Sequence, residues 1–170
     1  MPNLLYDALF MPHKDSARIF LTGADELSVT YAEFLGLAGR ISNAFQEIGV
    51  GCGDRVALQT AKSPHALAVY AACAMSGAVF LPLNTAYTAS EVEYFVHDSG
   101  ASLVICDPDS AAALRPIAEK AGANLQTLDE AGQGSLADLA AEQSANFKIV
   151  DRGEEDLAAI LYTSGTTGRS

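Results

Sequence analysis

The sequence predicts an α/β fold in which helices flank a largely parallel sheet. Helical and strand-like segments alternate along the chain, and the gaps between them are of turn length. Segments that alternate in this way are usually joined by right-handed crossovers into a parallel sheet. Hydrophobic residues make up 49% of the 170 residues, which is enough to bury a core.

The first strong helical pattern lies in SVTYAEFLGLAGRISNAFQEIGVGCGD. Thr30 and Glu33 have the spacing of a capping box, and apolar residues then recur at helical intervals. Gly49 is placed to end this helix, and DRVALQT follows as a short strand.

A second helix is predicted in SPHALAVYAACAMSG, with Pro64 in its first turn and Gly77 at its end. It is apolar on nearly every side, so we expect it to be buried on more than one side. AVFLPLN, predicted to end near Pro82, and SLVICD are the next strands. Between them Thr88 and Glu91 form another capping box, which opens the helix ASEVEYFVHDSG.

The remaining segments continue the alternation. DSAAALRPIAEKAG is predicted to be helical, with Asp109 as its cap and a kink or break at Pro116. NLQTL is a weaker strand, SLADLAAEQ a short helix and LAAILYT a further buried strand. The polar stretch VDRGEED separates that last strand from the rest. We therefore divide the chain into an α/β subdomain over residues 1–150 and a linker, strand and loop over residues 151–170.

The charge of the chain narrows the class of ligand. Acidic residues number 21 and basic residues 10, and the net charge of −11 would repel a nucleic-acid backbone. A small phosphate ligand stays compatible, because backbone N–H groups and a metal can hold it. No stretch could span a bilayer, and the N-terminus lacks the features of a secretory signal. We expect a soluble, cytoplasmic protein that binds neither nucleic acid nor membrane.

The cysteines and histidines indicate neither a disulfide framework nor a metal site. Three cysteines lie far apart without C-x-x-C spacing, and the three histidines are isolated. Cys73 and Cys106 lie in apolar runs and are expected in the core, whereas Cys52 lies in a turn.

The stretch ILYTSGTTGRS, residues 160–170, carries the strongest functional signal. A buried strand that leads into a turn rich in Gly, Ser and Thr is the usual layout of a phosphate-binding loop in α/β proteins. Gly165 and Gly168 permit close approach of phosphate oxygens. Four neighbours add neutral hydroxyl groups: Thr163, Ser164, Thr166 and Thr167.

Two common phosphate-loop patterns do not fit this stretch. GTTGRS has neither the spacing nor the Lys of a Walker A motif, and it is not G-x-G-x-x-G. An ordinary solvent-exposed loop is the competing interpretation. The preceding strand and the density of Thr and Ser favour phosphate binding.

YTSGTTGRS resembles the signature loop of the acyl-adenylate-forming enzymes, which include acyl-CoA synthetases, adenylation domains of peptide synthetases and luciferases. Residues 163–168 match that signature at every position, and Arg169 and Ser170 occupy its two variable places. The signature's Lys would be residue 171. The resemblance also covers TYAEFLGLAGRISNAFQEIGVGCGDRVAL and AVYAACAMSGAVFLPLNTAYTASEVEYFVHDSGASLVICD, and so nearly the whole chain. It implies the first subdomain of the large N-terminal domain of such an enzyme, about its first third.

The resemblance implies a reaction that uses ATP, Mg²⁺ and coenzyme A. A carboxylate would attack the α-phosphorus of ATP, giving an acyl-adenylate and pyrophosphate, and the thiol of coenzyme A would then release AMP. Thr163 would contact Mg²⁺ or phosphate. The β- and γ-phosphates would lie against five further residues: Ser164, Gly165, Thr166, Thr167 and Gly168.

LPLNTAYT and DLAAILYTSGTTGRS resemble the malonyl-CoA synthetases of this family most, which implies malonate or methylmalonate as the acid. The family's adenine-binding segment, acidic metal ligand and catalytic Lys have no counterpart here, so the chain alone is expected to be inactive. A ligase for another acid, or a non-catalytic module that binds nucleotide or a partner protein, are the alternatives. Leu157, Ile160 and Leu161 would be exposed without further strands, so we expect self-association or a displaced last strand.

Overall fold

The computed structural model describes residues 2–23 and 28–163. Its helices are α1 Leu4–Leu9, α2 Tyr31–Glu47, α3 Pro64–Ser76, α4 Ala89–Ser99, α5 Ala111–Ala121 and α6 Ser135–Ala141. Its strands are β1 Ile19–Thr22, β2 Ser28–Thr30, β3 Arg55–Gln59, β4 Val79–Pro82, β5 Ala101–Cys106 and β6 Asn124–Thr127. Within these ranges no helix is both long and apolar enough to cross a membrane.

A parallel sheet with strand order β4-β3-β5-β6 lies at the centre of the described residues. The chain passes from β3 to β4 through α3, and then back past β3 to β5 through α4. Right-handed crossovers in opposite directions place helices on opposite faces of a sheet. The predicted α/β class with a largely parallel sheet is confirmed.

The strand β3 is buried on both of its faces. Val56 and Leu58 belong to the apolar cluster that includes residues of α2, α3 and α6, whereas Ala57 belongs to the cluster with α4 and α5. Successive residues of a strand point to opposite faces, so both faces of the sheet are covered by helices. The expectation that α3 is buried on more than one side also holds, because eight of its residues are buried.

Helix ends follow the predicted caps closely. The side chains of Thr30 and Thr88 accept hydrogen bonds from the backbone N–H groups of Glu33 and Glu91. In return, the carboxylate of each glutamate accepts a hydrogen bond from the backbone N–H of its cap threonine. Gly77 follows α3 with a φ of 73°, a left-handed conformation that glycine adopts without steric cost.

The helix α5 differs from the prediction at its start and at Pro116. Asp109 is not its cap, because the chain first makes a 3-10 turn over Pro108–Ser110 and α5 follows Ser110. The helix also continues through Pro116 to Ala121, so of the two predicted alternatives, a kink or a break, the break is wrong. Burial of its apolar face against the sheet outweighs the cost of about 3 kcal/mol for an internal proline. That face consists of Leu114, Ile117 and Ala118.

The N-terminal segment contains elements that the sequence did not predict. Strands β1 and β2 form an antiparallel pair, and Ser28 and Val29, expected in the first helix, belong to β2. Both strands are too short to show a periodic pattern. They are held by tertiary packing, since the Phe20 ring lies 4.5 Å from that of Tyr31 and 4.7 Å from that of Phe34.

The predicted buried strand LAAILYT is wrong. Only Ala159 pairs with the sheet, in a single parallel bridge to Phe80 on the outer side of β4. Leu157 is 62% exposed and Leu161 is 72% exposed. The segment gains little burial, because within the described residues β4 is the edge of the sheet and no further element covers this side. The expected exposure is confirmed for these two leucines but not for Ile160, which is partly buried against the cluster with α4 and α5. Self-association stays a prediction.

The cysteines lie where the sequence predicted them. Cys73 and Cys106 are buried in the core, and Cys52 is exposed. Burial raises the pKa of the Cys73 thiol, and mainly burial raises that of Cys106 to about 11. Both therefore stay protonated core residues at neutral pH.

Candidate functional site

The chain reaches the predicted phosphate-binding loop along the outer edge of β4. The backbone N–H of Phe80 donates to the carbonyl of Ala158 at 3.0 Å, and the N–H of Ile160 donates to the carbonyl of Phe80 at 3.0 Å. Thr163 follows and is exposed. The other predicted phosphate-binding residues lie outside the described ranges: Ser164, Gly165, Thr166, Thr167 and Gly168.

Tyr162, directly before Thr163, is fixed to α4 by its side chain. Its hydroxyl donates to Oδ2 of Asp98 at 2.6 Å, and its ring lies 4.5 Å from that of Phe95. Burial, together with the hydrogen bond to Asp98, raises the pKa of Tyr162, so the phenol keeps its proton at neutral pH. This pair was not predicted from the sequence. The tyrosine stands directly before the loop signature, but its partner Asp98 lies 64 residues earlier in the chain.

The stretch VDRGEED is bound to the rest of the fold rather than extended as a free linker. The N–H of Arg152 donates to the carbonyl of Pro2 at 3.1 Å, and the N–H of Leu4 donates to the carbonyl of Arg152 at 3.3 Å. The Arg152 guanidinium donates to the carbonyl of Leu157 at 3.1 Å. The division of the chain at residue 150 stays a proposal, and the two hydrogen bonds of Arg152 with Pro2 and Leu4 cross it.

A wide, open cavity of about 1200 Å³ lies at the carboxyl ends of β3 and β4. Ligands in parallel α/β sheets usually bind at this end of the strands. Its walls include apolar groups of Leu58, Tyr70 and Phe80, and Lys62 contributes a cation. Phe80 also pairs with Ala159, so the cavity adjoins the segment that leads to Thr163. This cavity could not be predicted from the sequence, because its walls come from separate elements.

The described residues offer little for a metal ion. They contain no group of three or more His, Cys, Asp or Glu side chains that could hold one. The hydroxyl of Thr163 is a hard oxygen donor of the kind that Mg²⁺ accepts. The exposed Thr163 could therefore supply one ligand, while the remaining ligands must come from the nucleotide, from water or from other residues.

Comparison with known proteins defines the class of this chain. Residues 12–170 match the family of AMP-binding enzymes. The chain therefore belongs to the AMP-binding enzyme family. Crystal structures of MatB from Rhodopseudomonas palustris, without ligand and bound to ATP, are each 46% identical to it, with a TM-score of 0.94. In each comparison the match covers 99% of this chain and 34% of the MatB chain.

Curated relatives include enzymes named for different acids. The long-chain-fatty-acid–CoA ligase FadD13 of Mycobacterium tuberculosis is 34% identical over 149 residues, which are 88% of this chain and 30% of that protein. A feruloyl-CoA synthase of an Amycolatopsis species is 35% identical over 142 residues, 84% of this chain and 27% of that enzyme. The chain thus spans less than a third of the length of these two relatives.

Proposed function

We propose that this chain is the N-terminal part of an ATP-dependent acid–CoA ligase that acts on malonate or methylmalonate. One observation carries the proposal: residues 163–168 match the phosphate-loop signature at every position, within a chain that belongs to the AMP-binding family. The exposed position of Thr163, directly after the anchored Tyr162, supports a loop that is open to a nucleotide.

The phosphate-binding role is assigned to the Gly, Ser and Thr residues of the loop. Backbone N–H groups next to glycines can converge on one anion, and neutral hydroxyls add donors without adding negative charge. MatB, which shares 46% identity, binds ATP in a crystal structure. We assign the β- and γ-phosphates of ATP to five residues: Ser164, Gly165, Thr166, Thr167 and Gly168.

The proposed reaction has two half-reactions. A carboxylate oxygen attacks the α-phosphorus, the bond to the pyrophosphate oxygen breaks, and an acyl-adenylate forms. The coenzyme A thiol then attacks the acyl carbon, loses its proton and displaces AMP. Substrate and nucleotide are both anionic, so catalysis of the first step consists mainly of positioning and charge neutralisation.

A magnesium ion would neutralise charge on the phosphates and orient them. In this chain, Thr163 is the proposed contact through its hydroxyl. Thr163→Ala in the full-length enzyme should therefore raise the Mg²⁺ concentration needed for half-maximal activity. An unchanged Mg²⁺ concentration for half-maximal activity would refute the contact between Thr163 and the metal ion.

The identity of the acid rests on the sequence resemblance to malonyl-CoA synthetases in LPLNTAYT and DLAAILYTSGTTGRS. The curated relatives named for fatty and ferulic acids favour a ligase for another acid as the second candidate. The two candidates differ in the acid that supports pyrophosphate release by the full-length protein. We expect release with malonate or methylmalonate, and a clear preference for a long-chain or aromatic acid would refute the malonate assignment.

The isolated 170-residue chain is expected to have no ligase turnover and at most weak affinity for ATP. Pyrophosphate exchange with ATP and malonate would contradict this expectation. Calorimetric titration with Mg·ATP, before and after Thr166→Ala combined with Thr167→Ala, tests whether the chain acts as a nucleotide-binding module. The cytoplasmic location also stays a prediction from the sequence.

A further inference from the structure

We propose that Asp98 is a positioning residue for the phosphate-binding loop and acts through the hydroxyl of Tyr162. The inference rests on the proposed function, because it concerns the residue directly before the first assigned phosphate ligand. The distance from Tyr162 Oη to Asp98 Oδ2 is 2.6 Å, within the range of a strong hydrogen bond to a carboxylate. The pair links residues that are 64 positions apart.

Asp98 is held in place by the helix that carries it. The helix α4 begins at a complete capping box and packs on the sheet through Val92 and Val96, both fully buried. Asp98 lies in the last turn of this helix. Its carboxylate therefore has a fixed support, which an acceptor on a loop would not have.

Tyr162 meets α4 through its ring as well as through its hydroxyl. The ring lies 4.5 Å from the ring of Phe95 at an angle of 44°, and Phe95 in turn lies 5.0 Å from Tyr87. The hydrogen bond from the Tyr162 hydroxyl to Asp98 fixes the orientation of the tyrosine ring against Phe95. Two residues earlier, the N–H of Ile160 fixes the backbone to Phe80.

These two attachments hold the chain to two different elements just before Thr163. The backbone bond fixes it to β4, and the Tyr162 side chain fixes it to α4. A loop that starts from a fixed point loses less conformational freedom when a ligand binds. We infer that the Tyr162–Asp98 hydrogen bond strengthens ATP binding without touching the nucleotide.

The first experiment measures steady-state kinetics of the full-length enzyme. Tyr162→Phe and Asp98→Ala should each raise KM for Mg·ATP roughly tenfold, the effect of losing one hydrogen bond to a charged group. The KM values for the acid and for coenzyme A should stay unchanged. Asp98→Asn keeps an oxygen acceptor and should restore most of the ATP affinity, and the double variant Tyr162→Phe, Asp98→Ala should match either single variant.

Glu93→Ala is the matched control. Glu93 lies on the same helix and accepts a hydrogen bond from Lys120 at 2.7 Å, so its removal also breaks an exposed charged contact of α4. It should leave KM for Mg·ATP unchanged. An equal rise in Glu93→Ala would show a general loosening of α4 and would overturn the proposal.

A second experiment reports on the hydrogen bond in the 170-residue chain itself. Amide hydrogen exchange at residues 160–163 should be faster in Tyr162→Phe and Asp98→Ala, and unchanged in Asp98→Asn and Glu93→Ala. Unchanged exchange in the first two variants, unchanged KM in a folded Tyr162→Phe enzyme, or additive effects in the double variant would each overturn the proposal.

Failure of the proposed function gives a different result. A wild-type enzyme that releases no pyrophosphate with any acid would refute the ligase assignment. Calorimetric titration of the same variants with Mg·ATP then decides the positioning role, with a roughly tenfold weaker Kd expected for Tyr162→Phe. Equal Kd values for the variant and the wild type would overturn it.

Discussion

The side-chain amide of Asn3 donates a hydrogen bond of 2.7 Å to the carbonyl oxygen of Ala74, in the last turn of α3. The same amide donates to the carbonyl of Val150 at 2.8 Å, while the N–H of Val150 donates to the carbonyl of Met75. The last carbonyls of a helix lack partners within it. Asn3 thus provides a hydrogen-bond donor for the C-terminal end of α3. It also connects this end to the N-terminus and, through Val150, to the segment that leads toward the phosphate-binding loop.

Replacement of Asn3 should therefore destabilise the fold. Asn3→Ala removes the N-cap of α1, which contributes about 1 kcal/mol, and takes the donor from the buried Ala74 carbonyl, which costs about 1–3 kcal/mol. Asn3→Ser keeps a cap oxygen but cannot reach Ala74 and Val150, so its free energy of unfolding should lie between wild type and Asn3→Ala. Urea unfolding measures this order, and wild-type stability in Asn3→Ser would contradict it.

Two glycines of α2 should respond in opposite directions to the same substitution. A Cβ at Gly39 would overlap the carbonyl oxygen of Ala145, whereas a Cβ at Gly36 would lie 3.8 Å from the Ala145 side chain, an ordinary contact. Gly39→Ala should lower the free energy of unfolding by about 1–3 kcal/mol. Gly36→Ala should raise it by up to about 1 kcal/mol, because alanine is the better helix former. Chemical unfolding measures both values, and equal effects would refute the close contact at Gly39.

The two capping boxes should make the free energy of unfolding depend on pH below about 4.5. The cap threonine lowers the pKa of Glu33 and of Glu91 below the ordinary value of 4.5, because its backbone N–H and, as a smaller cause, its hydroxyl donate hydrogen bonds to the carboxylate. The unfolded chain then binds more protons just below pH 4.5. This part of the stability is present above pH 4.5 and is lost as the pH falls through the lower folded pKa values.

Substitution of both glutamates by glutamine should flatten the fall of unfolding free energy below pH 4.5. Glutamine can still bond to the cap residue but does not titrate. Urea unfolding across this pH range measures the slope. Glu119→Gln, in the last turn of α5, is the control, and an equal change of slope there would contradict the role of the caps.

The thiols should differ in reactivity by burial. Cys52 is exposed, whereas Cys73 and Cys106 are buried and their pKa values are raised. An aromatic disulfide reagent should label Cys52 alone in the native chain and all three thiols after unfolding. Rapid native labelling of Cys73 or Cys106 would show that the core opens.

The exposed leucines should promote association of the 170-residue chain. Leu157→Ser combined with Leu161→Ser should shift a dilution series in analytical ultracentrifugation toward monomer, because it removes apolar surface. Met11→Ser changes another exposed apolar side chain and serves as the control. A wild-type chain that stays monomeric throughout would contradict the prediction.

The features that could be predicted from the sequence are those that depend on neighbouring residues. The boxes at Thr30 and Thr88 and the stop at Gly77 involve residues within one helical turn. The central strand β3 shows its burial in its own apolar run. The loop signature at residues 163–168 is likewise a local pattern, so the family could be identified before the fold was known.

Other features depend on which distant segments meet. LAAILYT is as apolar as SLVICD, yet SLVICD belongs to β5, an interior strand with partners on both sides, while LAAILYT makes one bridge at the sheet edge. Burial of a strand requires partners on both sides, and its own residues do not specify them. The course of α5 also depends on packing with distant segments. Burial of its apolar face keeps the helix continuous through Pro116.

The sequence by itself determined the α/β class, most element boundaries and the family, because periodicity, caps and the loop signature act over a few residues. Only the tertiary structure decided that Tyr162 meets Asp98, that Asn3 completes α3 and that LAAILYT makes a single bridge to β4. Each of these depends on contacts between segments far apart in the chain. Such contacts form only when the helices and strands have packed around the sheet.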